Sequence, residues 1–319
     1  MNNLLISSSP HIWRGLSTNK IMYLVVVALL FPTGAGIYFF GYHAIWIIVS
    51  SVITAVVTEL VIKKLRRKKF VMDGSAVITG LLFALILPPR IPIWMVVVGS
   101  VFCIAVAKEA FGGLGYNIFN PALAGRAFMT VCFPGEMTTW ILPSFFGSDA
   151  VTGATPLGES FTWEMDKLTL YKNLFIGNRA GSLGETSVML ILIGAILLLA
   201  FKVIDWRIPV FYLGTVALGS FLLGEDVIFQ LLAGGLMLGA FFMATDYVTS
   251  PVTANGRIVF GVGAGLLTVA IRYFGAMPEG VCFSILLMNA FTPLIDRYIK
   301  PKPYGYVRMR KKEVKAGQS

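Results

Sequence analysis

The feature that most constrains this chain is a succession of apolar runs, each of a length suited to a helix that enters or crosses a lipid bilayer. About 20 helical residues cross roughly 30 Å of hydrocarbon. The sequence predicts ten runs, at 21–40, 44–62, 72–87, 93–110, 121–133, 187–203, 208–223, 227–244, 258–274 and 280–299. The composition agrees, since 56% of the residues are hydrophobic and 13% are charged, against about 25% charged in soluble domains. We therefore predict an all-α polytopic membrane protein.

The distribution of Lys and Arg predicts the orientation of these spans. With a cytoplasmic N-terminus, 20 of the 26 Lys and Arg residues fall on the cytoplasmic side, as the positive-inside rule requires. Both termini are then cytoplasmic. The segment 134–186 becomes extracytoplasmic, and its six acids against three bases suit translocation.

The net charge of +10 is concentrated in two basic runs that flank apolar segments, 63–69 and 297–315. Such placement indicates contact with lipid head groups rather than nucleic acid. The three cysteines have no metal-ligand or cluster spacing, so we predict no metal site and interpret each cysteine as a small buried hydrophobe.

A weak internal repeat relates the two halves of the chain. Pro88 precedes Phe111-Gly112 by the same interval at which Pro251 precedes Phe274-Gly275, an offset of 163 residues. The offset spans five helices, an odd number, so the halves are predicted to be inverted repeats. The predicted domains are 1–20 as a cytoplasmic segment, 21–133 and 187–299 as transmembrane repeats, 134–186 as an extracytoplasmic loop, and 300–319 as a basic cytoplasmic tail.

Acids at membrane depth are costly and are therefore candidates for an ion pathway. The candidates are Asp246, Glu109, Asp73, Asp296 and Glu59, with Asp246 the strongest. Each has a structural alternative: a salt bridge from Glu59 to Lys63, from Asp73 to the preceding basic run, from Asp296 to Lys300, or between Glu109 and Lys108. Arg126 lies within a span and requires a phosphate or one of these acids as partner.

Two polar segments interrupt the apolar pattern. Gly112, Gly113, Gly115, Asn117 and Asn120-Pro121 form a break that either binds a ligand or caps two helices. The loop residues 147–157, "GSDAVTGATPL", form on physical grounds a turn of the kind that Gly, Ser and Thr make routinely.

This loop also resembles a known modification motif. Asp149, Thr152, Gly153, Ala154 and Thr155 match Asp-x-x-Ser/Thr-Gly-Ala-Thr, at which a flavin transferase esterifies FMN to the last threonine through its phosphate. The segments "FGGLGYNIFNPAL" (111–123), "FMATDYVTSP" (242–251) and "PEGVCFSILLMN" (278–289) resemble signatures of a single family. That family includes the D subunit of the Rnf ion-translocating ferredoxin:NAD oxidoreductase and the B subunit of the sodium-translocating NADH:quinone reductase.

The resemblance implies covalent FMN on Thr155, with Asp149 and Thr152 read mainly by the transferase and with Gly153 and Ala154 keeping its approach open. It also implies a second, non-covalent flavin (riboflavin) that no residue places. It implies electron transfer between ferredoxin and NAD coupled to Na⁺ or H⁺ movement, with other Rnf subunits as partners. The short N-terminus and basic tail favour the Rnf relative over the quinone-reductase relative. A channel or transporter without redox chemistry is the alternative from another class.

Overall fold

The computed structural model describes residues 17–67, 73–143, 157, 166–275 and 280–300, and helices make up the regular structure of this part of the chain. The helices are α1 (Thr18–Phe40), α2 (Tyr42–Leu65), α3 (Ser75–Leu85), α4 (Ile93–Ile104), α5 (Pro121–Cys132), α6 (Pro134–Met137), α7 (Lys167–Ile176), α8 (Val188–Ala200), α9 (Arg207–Leu222), α10 (Val227–Leu232), α11 (Leu236–Leu238), α12 (Ala254–Phe274) and α13 (Val281–Tyr298). Two π-segments, Ala105–Glu109 and Gly239–Met243, extend α4 and α11.

Each of the ten predicted apolar runs contains helix. Three helices, α1, α2 and α12, are long and apolar enough to cross a membrane by length and composition. α3, α8 and α9 are shorter apolar helices. The described residues thus form a helical, multi-pass membrane protein.

Helix pairs form the core of the bundle. α2 packs against α3 and α4, α9 packs against α12, α1 packs against α8, and α5 packs against α13. A Cβ at Gly194 of α8 would lie 2.5 Å from the carbonyl oxygen of Ala28 in α1. The crossing of α1 and α8 therefore requires a residue without a side chain at position 194.

The predicted span 227–244 is a broken helix rather than a continuous one. α10 ends at Leu232, the backbone is extended at Ala233, and Gly234 adopts a φ of 65° before α11 begins. A positive φ is a conformation that glycine adopts without steric cost, so the Gly234-Gly235 pair is the local cause of the break.

The end of the bundle at which α1 begins and α13 ends is called the terminal end, and the other is called the opposite end. The terminal end carries the start of α1, the end of α2 and the turns at 110–120 and 244–253. The opposite end carries the α1–α2 turn, the segment 180–187 and the end of α12. At the opposite end the backbone N–H groups of Leu183 and Gly184 donate to the carbonyls of Leu87 and Leu85, where α3 ends.

Candidate functional site

A cavity of about 90 Å³ lies between the two halves of the bundle at the terminal end. Its walls are mostly apolar, from α1, α3, α8 and the second π-segment. The polar residues on its walls are Ser75, Thr79, Lys108, Asn117, Asn120, Thr245 and Asp246. A mostly apolar cavity with a few converging polar groups is the usual form of a ligand or ion site.

Lys108 supplies a buried cation to this cavity. It lies in the first π-segment, and its side chain is 2% exposed. Its ammonium donates to Glu59 Oε2 at 3.1 Å and to Ser75 Oγ at 2.6 Å. Ser75 Oγ in turn donates to Asp73 Oδ1 at 2.6 Å, so a hydrogen-bonded chain joins Lys108 to Asp73.

Glu59 is shared by two cations. It forms the expected ion pair with Lys63 one turn later in α2, and it also pairs with Lys108. The sequence makes Lys108 a potential partner of its neighbour Glu109, but the structure pairs it with Glu59. Residues 49 positions apart are brought together because α2 packs along α4 and its π-extension.

Glu109 faces away from Lys108. Its Oε2 lies 3.6 Å from Arg66 Nη1, and Arg66 donates to the Glu109 backbone carbonyl at 2.6 Å. Its Oε1 is buried without a hydrogen-bond donor among the described residues, and a Cβ at Gly113 would lie 3.3 Å from it. Glu109 is therefore held by the end of α2 and the glycine turn, and it is absent from the cavity wall.

Asp73 is held by the first turn of α3. Its Oδ1 accepts from the backbone N–H and the hydroxyl of Ser75. The charges of Lys108 and Lys63 also lie within its electrostatic range. Donors and cations of this kind favour an ionised carboxylate. Of the preceding basic run, Lys63 acts on Asp73 through its charge without forming an ion pair with it, and positions 68 and 69 lie outside the described residues.

Asp246 is the candidate acid that lies on the cavity wall. Its carboxylate accepts from the Thr249 hydroxyl at 3.2 Å and from the Val248 backbone N–H at 3.4 Å. It also lies within electrostatic range of Lys108. The cavity therefore places an acid of the second half of the chain across from a cation of the first half.

Asp296 does not pair with Lys300. Its Oδ1 accepts from the backbone N–H of Val252 at 3.1 Å, at the turn that follows Asp246. The reason is local: the end of α13 packs beside that turn, where an unpaired backbone donor is available. Asp296 lies outside the cavity lining.

A third acid also fixes that turn. Asp205 pairs with Arg207 at 3.0 Å and with Arg257 at 2.6 Å, and Arg257 donates to the Pro251 carbonyl. Burial raises the pKa of Asp205, but the Arg207 N–H and the two guanidinium groups outweigh it and hold the pKa below its usual range. The pairing with Arg257 was not predicted because Arg257, in α12, is 52 residues distant from Asp205 along the chain.

The glycine-rich break at 112–120 is both a helix cap and part of the cavity. Asn120 Oδ1 accepts from the first backbone N–H groups of α5, and its Nδ2 donates to the Met243 carbonyl at 3.3 Å. Gly112, Gly113 and Gly115 have φ values of 126°, 101° and 92°. The capping interpretation is confirmed at α5, and Asn117 and Asn120 also line the cavity, while ligand binding at the break stays a prediction.

Arg126 has a partner that was not predicted from the sequence. Its guanidinium pairs with Glu185 at 3.0 Å, and both side chains are buried. The expected partner was a phosphate or one of the five candidate acids, whereas Glu185 comes from the segment before α8. The segment 180–187 folds onto the end of α3. Glu185 therefore contacts α5, although it follows Arg126 by 59 residues in the sequence.

Two further arginines hold the broken helix at the opposite end. Arg179 donates to the carbonyls of Leu232, Gly234 and Glu185. Arg272 donates to the Gln230 carbonyl at 2.7 Å and to the Ala233 carbonyl at 3.1 Å. These guanidinium groups supply the donors that the carbonyls at the end of α10 lack within the helix.

The residues of the flavin motif, Asp149, Thr152, Gly153, Ala154 and Thr155, lie outside the described residues. Leu157 is described, and it packs on a small apolar cluster of α7 and α10 formed by Leu170, Leu174, Phe229 and Ala233. It also contacts Gly234, where a Cβ would lie 2.8 Å from Leu157 Cδ1. The chain just after the motif thus contacts the helix break.

Of the three cysteines, Cys103 and Cys282 are buried as expected, whereas Cys132 at the end of α5 is exposed.

Comparison with known proteins gives consistent matches over nearly the whole chain. Residues 5–305 match the model of the NQR2, RnfD, RnfE family. The chain is 48% identical to the D subunit of the proton-translocating ferredoxin:NAD(+) oxidoreductase complex of Clostridium ljungdahlii, over 95% of this chain and 97% of the relative. It is also 48% identical to the D subunit of the Na(+)-translocating ferredoxin:NAD(+) oxidoreductase complex of Acetobacterium woodii, over 98% and 99%. The D subunit of the ion-translocating oxidoreductase complex of Stutzerimonas stutzeri is 40% identical, over 91% and 92%.

Proposed function

This chain belongs to the NQR2, RnfD, RnfE family, and on that premise we propose that it acts as the membrane-embedded D subunit of an ion-translocating ferredoxin:NAD oxidoreductase complex. The carrying observation is identity of 48% to two such proteins over nearly their full length. The other Rnf subunits are its partners. The chain alone performs no complete reaction, because the ferredoxin and NAD steps belong to other subunits.

The coupling ion is Na⁺ or H⁺. Two relatives of equal identity are named for different ions, one for protons and one for sodium, so similarity does not decide between them. The test uses inverted membrane vesicles supplied with reduced ferredoxin and NAD⁺. Sodium uptake that persists with a protonophore identifies Na⁺, whereas acidification that persists without sodium identifies H⁺. Absence of both, with normal NAD⁺ reduction, contradicts the translocating function.

Covalent FMN on Thr155 is the cofactor we propose for the extracytoplasmic side. A flavin transferase that recognises mainly Asp149 and Thr152 would attach it, and Gly153 and Ala154 would keep the approach to Thr155 open. Thr155 precedes Leu157 by two residues, so their Cα atoms are at most about 7 Å apart. The apolar cluster beneath Leu157 offers the kind of surface on which an isoalloxazine ring packs. Once bound, the flavin would supply one- and two-electron redox chemistry.

Fluorescence of the denatured chain tests this attachment. The wild-type protein, co-expressed with the transferase, should fluoresce in a denaturing gel, and Thr155→Val should be dark. Thr139→Val is the matched control, because Thr139 is an exposed threonine at the same end of the bundle, and it should remain fluorescent. A dark wild-type band with active transferase rejects covalent flavin and favours the transporter without redox chemistry.

We extend the proposal to topology: ten spans form two inverted five-helix repeats, with both termini in the cytoplasm of a bacterial inner membrane. Three features support this. α2 packs against α4 as α9 packs against α12, and α5 lies against α13. Pro88 follows α3, and Pro251 follows the second π-segment. In this topology the terminal end is cytoplasmic and 134–186, with Thr155, is extracytoplasmic. Labelling of single cysteines introduced at Lys64 and Thr139, in a chain whose native cysteines are replaced by serine because Cys132 is exposed, tests it: an impermeant thiol reagent added to whole cells should reach only the second.

The cavity between the halves supports two further roles. Asp246 on its wall is the foremost candidate for the ion pathway, ahead of Glu109, Asp73 and Asp296. The mouth of the cavity is also the place that we propose for the second, non-covalent flavin (riboflavin). Lys108 and Asn117 could hydrogen-bond the polar edge of such a ring while the apolar walls exclude water. Asp246→Asn should reduce ion uptake per NADH formed more than it reduces NAD⁺ reduction.

The B subunit of a sodium-translocating NADH:quinone reductase is the enzymatic alternative. Its complex differs from the proposed one in both the electron donor, NADH instead of ferredoxin, and the electron acceptor, quinone instead of NAD⁺. Reduced ferredoxin should support NAD⁺ reduction by the purified complex, and added quinone should not support NADH oxidation. The reverse result would favour the quinone reductase.

A further inference from the structure

We propose that Lys108 is a tethered cation: its ammonium occupies an oxygen-lined position beside the cavity and excludes a mobile monovalent metal cation from it. The inference rests on the proposed ion-translocating function, which it deepens by naming what controls access to Glu59. It adds a role for a lysine, where the candidates for the pathway were all acids.

The surroundings of the ammonium are those of a small cation site. Two oxygens, Glu59 Oε2 and Ser75 Oγ, lie 3.1 and 2.6 Å from its nitrogen. Asp73 adds negative charge through Ser75, which it holds by two hydrogen bonds. Oxygens of this kind replace the water shell of an ion when it enters a protein site.

The described surroundings satisfy two of the three N–H donors of the Lys108 ammonium. It carries three N–H donors, and two acceptors account for two of them. Among the residues that the structure describes, no acceptor receives the third. Lys108 also lines the cavity, and Asp246 on that cavity lies within its electrostatic range. The ammonium therefore has one carboxylate at its present position, from the first half of the chain, and a second across the cavity, from the other half.

The charges around Lys108 permit its displacement. Glu59 keeps the Lys63 ammonium as a second partner, so movement of Lys108 does not leave the buried Glu59 carboxylate without a cation. Arg66 and Glu109 pair with each other beside this group. The described cluster therefore contains three acids (Glu59, Asp73, Glu109) and three bases (Lys63, Arg66, Lys108), and one arriving cation could replace the charge of the Lys108 ammonium.

The π-segment explains how the lysine reaches this position. Backbone N–H groups in Ala105–Glu109 bond five residues back, as Ala110 does to Ala105. The wider turn lets the adjacent residues Lys108 and Glu109 both be buried, on different sides of the helix. π-segments are rare and are frequent at functional sites.

Equilibrium binding of radioactive sodium to the purified, resting complex tests the tether. Lys108→Met removes the charge while keeping a long apolar stem, and should bind one additional sodium ion per complex. Lys108→Arg keeps a cation and should bind no more than wild type. Lys64→Met is the matched control, because Lys64 is exposed near the end of α2 that carries Glu59 and Lys63. This variant should bind as much sodium as wild type. The additional ion should be lost in the double variant Lys108→Met, Glu59→Gln.

An assembled Lys108→Met complex that binds no additional sodium overturns the inference and leaves Lys108 as a structural ion pair. A second measurement covers failure of that variant to assemble. The resting wild-type complex and the Glu59→Gln complex should bind the same amount of sodium, because the Lys108 ammonium already occupies the site. Lower binding by Glu59→Gln would mean that a mobile ion reaches Glu59 with Lys108 in place, which also overturns the tether. Ion uptake by wild-type vesicles is scored separately, so failure of the proposed function is distinguishable from failure of the tether.

Discussion

The two ends of the bundle bury their charges in different ways. At the terminal end, Lys108, Glu59 and Ser75 bond side chain to side chain beside a cavity. At the opposite end, Arg179 and Arg272 bond mainly to backbone carbonyls of a broken helix. Rearranging the first group requires only rotamer changes, whereas rearranging the second removes hydrogen bonds from the backbone itself.

This difference separates a region suited to moving charge from a region suited to holding shape. Carbonyls left buried without donors cost free energy comparable to that of a lost hydrogen bond, so the arginines at the opposite end are fixed. The terminal cluster has alternative partners for its charges, and it lies beside open space. We therefore expect substitutions at the opposite end to affect stability, and those at the terminal end to affect ion coupling.

Loss of the buried pair at the opposite end should have the largest effect. Glu185→Gln leaves the Arg126 charge without its carboxylate, and breaking a buried pair costs about 3–5 kcal/mol. The measurement is the free energy of unfolding in detergent. The double variant Arg126→Met, Glu185→Met should recover part of this loss. A cost below that of the terminal-end variants would reverse the comparison.

Arg272→Lys should have the next largest effect. Lysine cannot reproduce the fork that contacts the Gln230 and Ala233 carbonyls together. Hydrogen bonds from charged groups contribute about 1.5–3 kcal/mol, and we expect a loss in that range in the same unfolding assay. Arg66→Lys at the terminal end is the comparison, since the Arg66 side chain is 39% exposed, and its cost should be smaller.

Gly235→Ala should destabilise the helix break by about 1–3 kcal/mol, the usual cost of overpacking. An added Cβ would collide with Glu185 Oε1, and thereby disturb its pair with Arg126. Gly214→Ala is the matched control: no atom lies within 4 Å of an added Cβ there, and alanine favours a helix. Equal effects of the two substitutions on the unfolding midpoint would contradict the close approach.

Asp205→Asn should have a small and nearly pH-independent effect. Its pKa is held below its usual range, so its ion pairs contribute stability above about pH 4, and that contribution is lost as the pH falls through the lowered pKa. For partly exposed pairs we expect about 0.5–1 kcal/mol. Unfolding of wild type and variant compared at pH 8, 6 and 5 should give a constant difference. A difference that disappears between pH 8 and 6 would show that another group is responsible.

Glu109→Gln should change stability least, by less than about 0.5 kcal/mol, because burial of the charge offsets its screened attraction to a partly exposed guanidinium. Its Oε1 lacks a donor among the described residues, and its Oε2 is 3.6 Å from Arg66. The measurement is unfolding beside Glu185→Gln. Similar losses for the two variants would remove the distinction between the ends.

The sequence was sufficient for the apolar helices and for the family, but it did not predict α6 and α7 within the loop 134–186. Of the side-chain partners, it predicted the Glu59–Lys63 pair but not the others. Apolar runs report local burial, so all ten contain helix. The Gly234-Gly235 pair is a local sequence feature that indicates the break in 227–244. The partner of Arg126 had none, because Glu185 is 59 residues distant and enters through the fold of a loop. Lys108 was assigned a neighbour in sequence, whereas packing of two helices gives it Glu59. The flavin motif stays a prediction, since its residues lie outside the described part of the chain.

The two π-segments have a consequence for insertions and deletions. Each residue of a helix turns the chain by about 100°, and a π-segment contains one residue more than a regular turn would use. Deleting one residue from a regular helix rotates one side of it relative to the other by about that angle, whereas deleting one residue within 105–109 would restore a regular helix and keep its two sides nearly in register. Such a deletion would keep the apolar character and nearly the full length of the span, yet Lys108 and Glu109 would lose the wide turn that buries both of them. A protein with that gap would still insert in the membrane, but its cavity would have a different wall.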